Sequence, residues 1–436
     1  MTRFPNRLKK FLPKGSLTRN VAVLAGGTAL GQGLVILCSP LLTRLYTPED
    51  FGVLAVYISI LGILAVVASL RYEMGIPLPN NDETAVNLLI LCLTIVFGIS
   101  LLTLFGVWCL KDQIVAWTNV MALHHYLWLL PISILGIGIY QAFNYWAIRK
   151  QAFSQIARTK LNQSLVLVIT QVSFGVLGFG PIGLLLGQLL GHVTGTSTLA
   201  SLAWQNTRKT LKTVSLNSIF LVAKRYKRFP ILSSGAALLD GLGSQLPTLF
   251  LSALYAPQVA GFWALGQRIV GLPASLVGYS VAQVYLAESA RLARDSPEKL
   301  LGLFWKTAKG QLLIGLLLIV PLALPAPWTF PLIFGKNWKE AGLYVQVLSP
   351  MFLLAFISSP LGGALDVLER QDLHLLREIT KIFLVIGAMS LVNANDGKPL
   401  IAIIFMGIAL SIVFILNLGL VWYSIKKGCF SKTNNA

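Results

Sequence analysis

The chain is divided into apolar segments of about 20 residues, which short polar stretches separate. This is the length that a helix needs to cross the hydrocarbon core of a membrane. Segmentation at charges, prolines and Asn/Asp clusters predicts twelve such helices in the 436 residues. They cover residues 20–43, 50–70, 84–108, 122–147, 155–178, 181–204, 229–252, 259–287, 303–324, 341–365, 373–393 and 399–423.

The composition excludes a soluble globular chain. Only 12% of the residues are charged and 55% are hydrophobic, whereas a soluble domain carries about 25% charged residues. The net charge of +19 does not indicate nucleic acid, because the basic residues lie between apolar segments rather than on one face with interleaved aromatics. We therefore expect lipid to surround much of the chain, and no nucleic-acid partner.

The basic residues lie mostly on one side of the predicted membrane. With the N-terminus in the cytoplasm, cytoplasmic segments hold 29 of the 35 Lys and Arg residues. An odd number of helices would exchange the two sides partway along the chain and flatten this bias. We therefore predict a multi-pass membrane protein with both termini cytoplasmic. Its first helix is expected to remain uncleaved, because the apolar stretch is longer than a signal-peptide core.

A short sequence pattern occurs once in each half of the chain. LYTPEDFG begins at Leu45 and LYAPQVAG begins at Leu254, so LYxPxxxG repeats at an offset of 209 residues. The same offset aligns Arg19 with Arg228. Because each half then contains six helices, an even number, both halves begin on the same side and the repeat is parallel.

The repeat predicts an all-α integral membrane fold, with twelve transmembrane helices in two pseudo-symmetric six-helix lobes around a central cavity. The N-terminal lobe and its basic tail cover 1–204, a basic cytoplasmic linker covers 205–228, and the C-terminal lobe and its tail cover 229–436. Two such halves expose a cleft alternately to the two sides of the membrane when one rocks against the other. This is the architecture of a transporter.

Two charged residues fall in the middle of predicted helices. Asp240 lies 15 residues before the hairpin apex near Tyr255, and Arg268 lies 13 residues after it. Their depths therefore differ by only about 3 Å, and a charge there costs about 2.5–3.5 kcal/mol unless it faces a cavity or a partner. Two hypotheses fit the pair. Arg268 binds an anionic group of the cargo while Asp240 modulates it, or the two residues form a structural ion pair.

Further charged residues lie at the cytoplasmic ends of predicted helices and are candidates for an entrance. For Arg71 and Glu73, surface or gate roles are favoured over binding, because water solvates charges cheaply at that depth. The basic members of the set either draw anionic headgroups to the entrance or only set the topology. They are Arg149, Lys150, Arg225 and Lys227.

The predicted sixth helix carries a glycine at every fourth position. Such a stripe lets another helix approach closely, so it predicts helix packing. His192 adjoins the stripe and Gln188 lies near it; a hydrogen-bonded structural histidine is favoured there over a proton relay. The glycines are Gly183, Gly187, Gly191 and Gly195.

No enzymatic motif is found in the sequence. It contains no Walker A loop, HExxH or GxSxG pattern and no acidic metal cluster. The four cysteines lack the spacing of a metal or disulfide framework. We therefore expect a non-enzyme without cofactor or metal, driven by a proton, sodium or substrate gradient or by consumption of the product.

Three stretches carry a family resemblance: LLTRLYTPEDFGVLAVY, LRYEMGIPLPNNDETA and RFPILSSGAALLDGLGSQLPTLFLSALYAPQVAGFWALGQRIVGLP. They resemble the Wzx-like polysaccharide (O-antigen) flippases of the multidrug/oligosaccharidyl-lipid/polysaccharide (MOP) superfamily, and the resemblance runs along nearly the whole chain. It implies two six-helix lobes around a cationic cavity. It also implies translocation of undecaprenyl-pyrophosphate-linked oligosaccharide from the cytoplasmic to the outer leaflet, as part of lipopolysaccharide biosynthesis beside other polysaccharide assembly proteins. Arg268 is carried over onto the cavity because it lies in the third stretch.

Two other classes remain open at this point. A membrane polymerase or ligase of the same pathway usually needs a large external loop, and the sequence shows none. A drug or ion exporter of the same superfamily shares the architecture but favours intramembrane acids over a midplane arginine. The flippase is therefore the favoured function.

Overall fold

The computed structural model describes residues 16–208, 210 and 214–433. Within these residues the regular structure is helical, and no strand occurs. The first nine α-helices are α1 (Ser16–Leu37), α2 (Ser39–Leu45), α3 (Pro48–Ala65), α4 (Asp82–Thr118), α5 (Leu129–Arg149), α6 (Phe153–Val176), α7 (Pro181–Val193), α8 (Thr196–Thr207) and α9 (Leu216–Arg225). The others are α10 (Ser234–Leu254), α11 (Pro257–Gly266), α12 (Leu272–Asp295), α13 (Leu300–Ala323), α14 (Ala326–Phe334), α15 (Lys339–Leu361), α16 (Gly363–Val367), α17 (Gln371–Ala394) and α18 (Pro399–Thr433). Two short π-helical turns also occur: Phe229–Ser233 lies directly before α10, and Gln267–Gly271 lies between α11 and α12.

Helix starts follow the local chemistry of the sequence. Pro48, Pro181, Pro257 and Pro399 are each the first residue of a helix, where a missing N–H and a fixed φ cost nothing. In α4 the first turn holds Asp82 and a glutamate, and their negative charge is favourable at the N-terminal end of the helix dipole. This helix has 37 residues and is therefore about 55 Å long. The predicted end at residue 108 was wrong, because α4 continues to Thr118.

Seven segments of the described chain are long and apolar enough to cross a membrane, judged by length and composition. Every one of the twelve stretches predicted from the sequence overlaps at least one helix. For the other predicted stretches, whose helices are shorter or less apolar, the crossing of the membrane stays a prediction. The seven segments are Leu24–Leu45, Pro48–Ala65, Asp82–Thr118, Pro257–Asp295, Pro297–Ala323, Lys336–Val367 and Pro399–Lys427.

The chain forms two compact units, which we call the first and second units. The first comprises the described residues up to Leu45, those in Ile60–Ile114 and those in Ala122–Leu238. The second comprises Tyr46–Ser59, Val115–Met121 and the described residues from Leu239 onwards. Helices α3, α4 and α10 therefore each contribute residues to both units.

The core of the first unit includes the segment predicted to be a linker. Within residues 205–228, α8 ends at Thr207 and Leu216–Arg225 form α9. Val222 of α9 joins a buried cluster with Ile76, Leu88 and Trp146. The Tyr72 hydroxyl donates a hydrogen bond to the Ala223 carbonyl over 3.1 Å. The inner face of α9 is thus fixed to the body of the unit.

The core of the second unit contains an aromatic cluster around Trp338. Its ring contacts those of Phe51 and Phe262 edge to face, with centroids 5.0 and 5.9 Å away. Phe51 belongs to one LYxPxxxG copy, and Phe262 directly follows the other. Trp338 is fully buried, so it fills the space beside the two hairpins.

Candidate functional site

Four charged side chains of the second unit form a continuous chain of ion pairs. Asp240 on α10 lies 3.4 Å from the Lys381 ammonium on α17. Lys381 also pairs with Glu378 one turn earlier. Glu378 in turn accepts a hydrogen bond from Arg377 Nε over 2.9 Å. The network thus connects two helices that are 141 residues apart in sequence at their contact.

The network runs from a buried end to an exposed end. The Glu378 side chain is 4% exposed and that of Lys381 is 13% exposed, whereas that of Asp240 is 60% exposed. Buried charges are stable only when they are paired and hydrogen-bonded. The carboxylate of Glu378, held between two cations, meets this condition, and Asp240 is the member that solvent or a ligand reaches most easily.

Polar side chains of two neighbouring helices extend the buried end. Arg377 Nη1 donates to Asn417 Oδ1 over 3.1 Å, and Arg377 Nη2 lies 3.1 Å from His374 Nε2. Asn417 Nδ2 then donates to Ser358 Oγ over 2.7 Å. These hydrogen bonds are directional, so the Arg377 guanidinium is held in one orientation.

A glycine on α10 makes room for the lysine. A Cβ on Gly243 would lie 2.4 Å from Lys381 Cε, closer than two carbons can pack. The Ser244 hydroxyl lies 3.5 Å from Lys381 Nζ. Gly243 therefore lets the stem of Lys381 lie against α10 with its ammonium between Asp240 and Glu378.

The sequence placed Asp240 opposite Arg268, but the ion pair that the structure gives Asp240 is with Lys381. Arg268 is half-buried in the π-helical turn before α12. Past this turn, α12 exposes Ser275, Tyr279 and Gln283, which are four residues apart and share one face. Lys381 was not among the site residues predicted from the sequence, although it lies within the predicted helix 373–393 and within α17, which begins at Gln371.

The second unit therefore carries cations and hydroxyls on α17, on α12 and in the turn before α12. Lipid cannot solvate such groups, so a polar exposed face on a membrane helix usually borders water or a polar ligand. Arg268 and Lys381 are suited to bind an anion. Asp240 is suited to neutralise Lys381 when no anion is bound.

Two of the predicted entrance residues are engaged in holding a loop. Arg149 pairs with Asp82 Oδ1 over 2.9 Å and donates to the backbone carbonyls of Ile76, Pro77 and Pro79. Lys150 Nζ lies 2.7 Å from the other Asp82 oxygen. These contacts fasten the loop before α4 to the end of α5, and they occupy the two cations.

The other acidic and basic entrance residues divide into buried and exposed ones. Contrary to the surface position expected from the sequence, Glu73 is only 2% exposed and accepts a hydrogen bond from the Ser69 hydroxyl. Arg71 is half-buried, with a left-handed φ of 63°. Arg225 and Lys227 are exposed, and Arg225 lines a cavity of about 240 Å³ between α9 and the start of α4.

The glycines of the predicted sixth helix lie against α6, but the helix does not continue through all of them. A Cβ on Gly187 would lie 2.4 Å from Gln171 Cγ, and one on Gly191 would lie 3.0 Å from Leu167 Cβ. Gly183 is buried in the same helix. Helix α7 ends at Val193, and Gly195 has a φ of +86° before α8. The predicted single span therefore contains a break that needs glycine.

His192 makes local hydrogen bonds. Its Nε2 lies 2.8 Å from Gln188 Nε2, one turn earlier. Gln163 of α6 donates to the His192 carbonyl over 3.3 Å. These contacts match a structural histidine that helps to join α6 and α7.

A further cavity, not foreseen from the sequence, lies in the second unit. It has a volume of about 740 Å³. Residues of both LYxPxxxG copies line it, together with two carboxylates, Glu49 and Glu340. The repeated hairpins therefore border an open cavity with acidic groups in its lining, as well as packing together.

Comparison with known sequences identifies related proteins of polysaccharide biosynthesis. A family sequence model described as polysaccharide biosynthesis protein matches residues 41–343. The lipopolysaccharide biosynthesis protein WzxC of Escherichia coli (strain K12) is 25% identical over 162 residues, which are 37% of this chain and 33% of WzxC. The succinoglycan biosynthesis transport protein ExoT of Rhizobium meliloti (strain 1021) is 23% identical over 338 residues, which are 75% of this chain and 64% of ExoT. The chain thus matches less than two thirds of the length of each relative.

Solved structures share the fold. An inward-facing multidrug resistance MATE family transporter of the MOP superfamily superposes with a TM-score of 0.64 at 14% identity, covering 96% of this chain and 99% of that chain. The lipid II flippase MurJ in an inward closed conformation superposes with a TM-score of 0.67 at 12% identity, covering 92% and 86%. At these identities the similarity is one of fold.

Proposed function

The chain belongs to the polysaccharide biosynthesis protein family, as a Wzx-like member of the MOP superfamily, and from this we propose that it is a lipid-linked oligosaccharide flippase. Its cargo is the undecaprenyl-pyrophosphate-linked repeat unit. It moves this cargo from the inner to the outer leaflet of a bacterial inner membrane, with both of its own termini in the cytoplasm. Twelve crossing helices in two six-helix lobes provide alternating access.

The observation that carries this proposal is the family match over residues 41–343. The names of both relatives refer to the making or transport of polysaccharides, and the fold is one that a lipid II flippase also has. A pyrophosphate carrier lipid is the part of such a cargo that every repeat unit has in common. A cationic site that tolerates different sugars is therefore the minimal requirement for this function.

The charged residues of the second unit supply a candidate for that site. Arg268 and Lys381 are the cations that bind the pyrophosphate, and Asp240 holds Lys381 in the absence of cargo. When the anion arrives, Lys381 exchanges one carboxylate for a phosphate oxygen, so no buried charge is left unpaired. Glu378 and Arg377 orient Lys381 from the buried side.

The function is tested in a strain that lacks the gene for this chain. Lipid-linked repeat units should accumulate in the cytoplasmic leaflet, and a plasmid copy should restore their transfer. Accumulation in the outer leaflet would instead indicate a polymerase or ligase. The similarity to a MATE transporter favours drug or ion export as the second candidate, and in that case no repeat unit would accumulate on either side.

A further inference from the structure

Helix α9 exposes large apolar side chains that nothing in the described chain covers. Leu216 is 85% exposed, Phe220 is 70% exposed and Leu221 is 65% exposed. Leu216 and Phe220 are four residues apart and share one face, and Leu221 adjoins it. Beyond the helix, Ile231 and Leu232 are exposed to a similar degree.

The opposite face of α9 is fixed, so the helix cannot rotate to bury these residues. Val222 is packed into the core of the first unit, and the Tyr72 hydroxyl is bonded to the Ala223 carbonyl. Gly75 lies against the Tyr226 and Phe229 rings. The exposed apolar side chains therefore lie on the surface of this unit while the other face of α9 packs inside it.

Basic residues accompany this apolar face. Lys224 and Arg225 form the last turn of α9, and Lys227 and Arg228 follow it. All four are exposed. Arg149 and Lys150 are occupied by Asp82, whereas no ion pair engages these four within the described residues. The positive charge is thus available to a partner outside the chain.

We propose that α9 lies in the membrane interface and binds the acidic phospholipid surface of the leaflet beside it. Leu216, Phe220 and Leu221 enter the boundary between headgroups and acyl chains, and the four basic residues bind lipid phosphates. Exposed apolar residues next to cations are the combination that an anionic lipid surface fits. The described part of the chain also contains seven segments that are long and apolar enough to cross a membrane. This anchoring is independent of which cargo the protein moves.

Anchoring of α9 also steadies the segment that it covers. Leu70 and Arg71 have left-handed backbone angles, with φ of 50° and 63°, and Tyr72 follows them directly. Non-glycine residues hold this conformation only where surrounding contacts enforce it. The hydrogen bond from Tyr72 to α9 is one such contact, so the lipid surface supports the segment that carries Glu73.

The experiment uses the full chain in lipid nanodiscs, with its native cysteines replaced by serine. A spin label on Phe220→Cys is compared in discs of phosphatidylcholine alone and in discs that also contain phosphatidylglycerol. Oxygen and a water-soluble nickel complex report whether the label is in lipid or in water. We expect the label to be inserted mainly in the mixed discs, while a label on Asn395→Cys stays in water in both.

Matched charge variants test the role of the basic residues. In Lys224→Gln/Arg225→Gln/Lys227→Gln/Arg228→Gln, each neutralised residue should weaken the preference for mixed discs about fivefold. The control Lys111→Gln/Lys336→Gln/Lys339→Gln/Lys398→Gln removes the same charge elsewhere and should keep the preference. The proposal is overturned by a label at residue 220 that is in water in both discs, or that inserts equally in neutral lipid. It is equally overturned by a label already shielded from both reagents in detergent, because a second copy would then cover α9.

Discussion

Gly52 and Gly261 each lie against the proline of the other's hairpin. A Cβ on Gly52 would be 1.9 Å from the Pro257 carbonyl oxygen, and a Cβ on Gly261 would be 2.1 Å from the Pro48 carbonyl oxygen. These are the proline and glycine positions of the two LYxPxxxG copies. The motif that repeats in sequence thus packs against its own repeat. Its glycine is needed because a Cβ would overlap backbone atoms, which cannot move aside as the end of a flexible side chain can. The contact between the two hairpins is therefore reciprocal.

Replacing either glycine by alanine is expected to destabilise the second unit. The added methyl group would overlap a backbone carbonyl, and overpacking of this kind costs roughly 1–3 kcal/mol. Gly52→Ala and Gly261→Ala should each lower the midpoint of thermal unfolding of the purified protein in detergent. The double variant should lose less stability than the sum of the losses in the two single variants, because a shift of one hairpin relieves both overlaps.

Gly98→Ala is the matched control for these variants. No heavy atom lies within 4 Å of a Cβ at Gly98 in the middle of α4, and alanine is the better helix former by about 1 kcal/mol. This variant should be as stable as the original protein or more so. Equal stability of Gly52→Ala and Gly98→Ala would contradict the close packing of the hairpins.

The two carboxylates of the ion network are expected to respond differently to neutralisation. Glu378→Gln leaves Arg377 and Lys381 without their shared buried counter-charge, which should cost about 3–5 kcal/mol of unfolding free energy. Asp240→Asn removes an exposed partner from Lys381 and should cost less than about 1 kcal/mol. Denaturant unfolding of the two variants measures the difference. A stable Glu378→Gln protein would show that Glu378 is not the residue that holds the network together.

The sequence predicted the positions of the helices better than the partners of their charged residues. Apolar length is enough to locate α13 or α18, because the cost of exposing a backbone to lipid leaves few alternatives. It does not tell whether a lysine near a helix start, such as Lys381, remains in water or turns inward, because that depends on Glu378 and on the space left by Gly243. The partner of Asp240 could therefore not be predicted from the sequence.

For the repeated motif and the predicted linker, too, the sequence indicated a pattern but not the contacts that its residues make. The sequence shows that LYxPxxxG is repeated, and the structure shows that the two copies are in contact. The segment 205–228 has the charge of a linker, yet Val222 is drawn into the core by Trp146 and its neighbours. A signal for α9 was present in the spacing of Leu216, Phe220 and the basic residues after them, since apolar residues four apart ahead of cations are typical of an interfacial helix.

Arg149 is expected to maintain the loop before α4. Arg149→Ala removes hydrogen bonds to Asp82 and to three backbone carbonyls in a position where the side chain is 10% exposed. Bonds that involve a charged group contribute about 1.5–3 kcal/mol. Hydrogen exchange of residues 76–81 should therefore become faster in this variant. Lys150→Ala removes one contact of a more exposed side chain and should have a smaller effect; faster exchange in Lys150→Ala than in Arg149→Ala would reverse the assignment.

Arg268 is expected to be required for transport but not for folding. In the deletion strain, Arg268→Ala should leave the repeat units in the cytoplasmic leaflet, because one of the two cations for the pyrophosphate is lost. Lys381→Ala should have the same effect, and Lys306→Ala, which removes a cation from α13, should restore transfer fully. The amount of each variant in the membrane and its thermal unfolding must be measured in parallel, so that loss of transport is not confused with loss of protein. Full transfer of repeat units by a stable Arg268→Ala protein would show that Arg268 does not belong to the site. A transport defect in Arg268→Ala but not in Lys381→Ala would show that Lys381 has a structural role and does not bind the cargo.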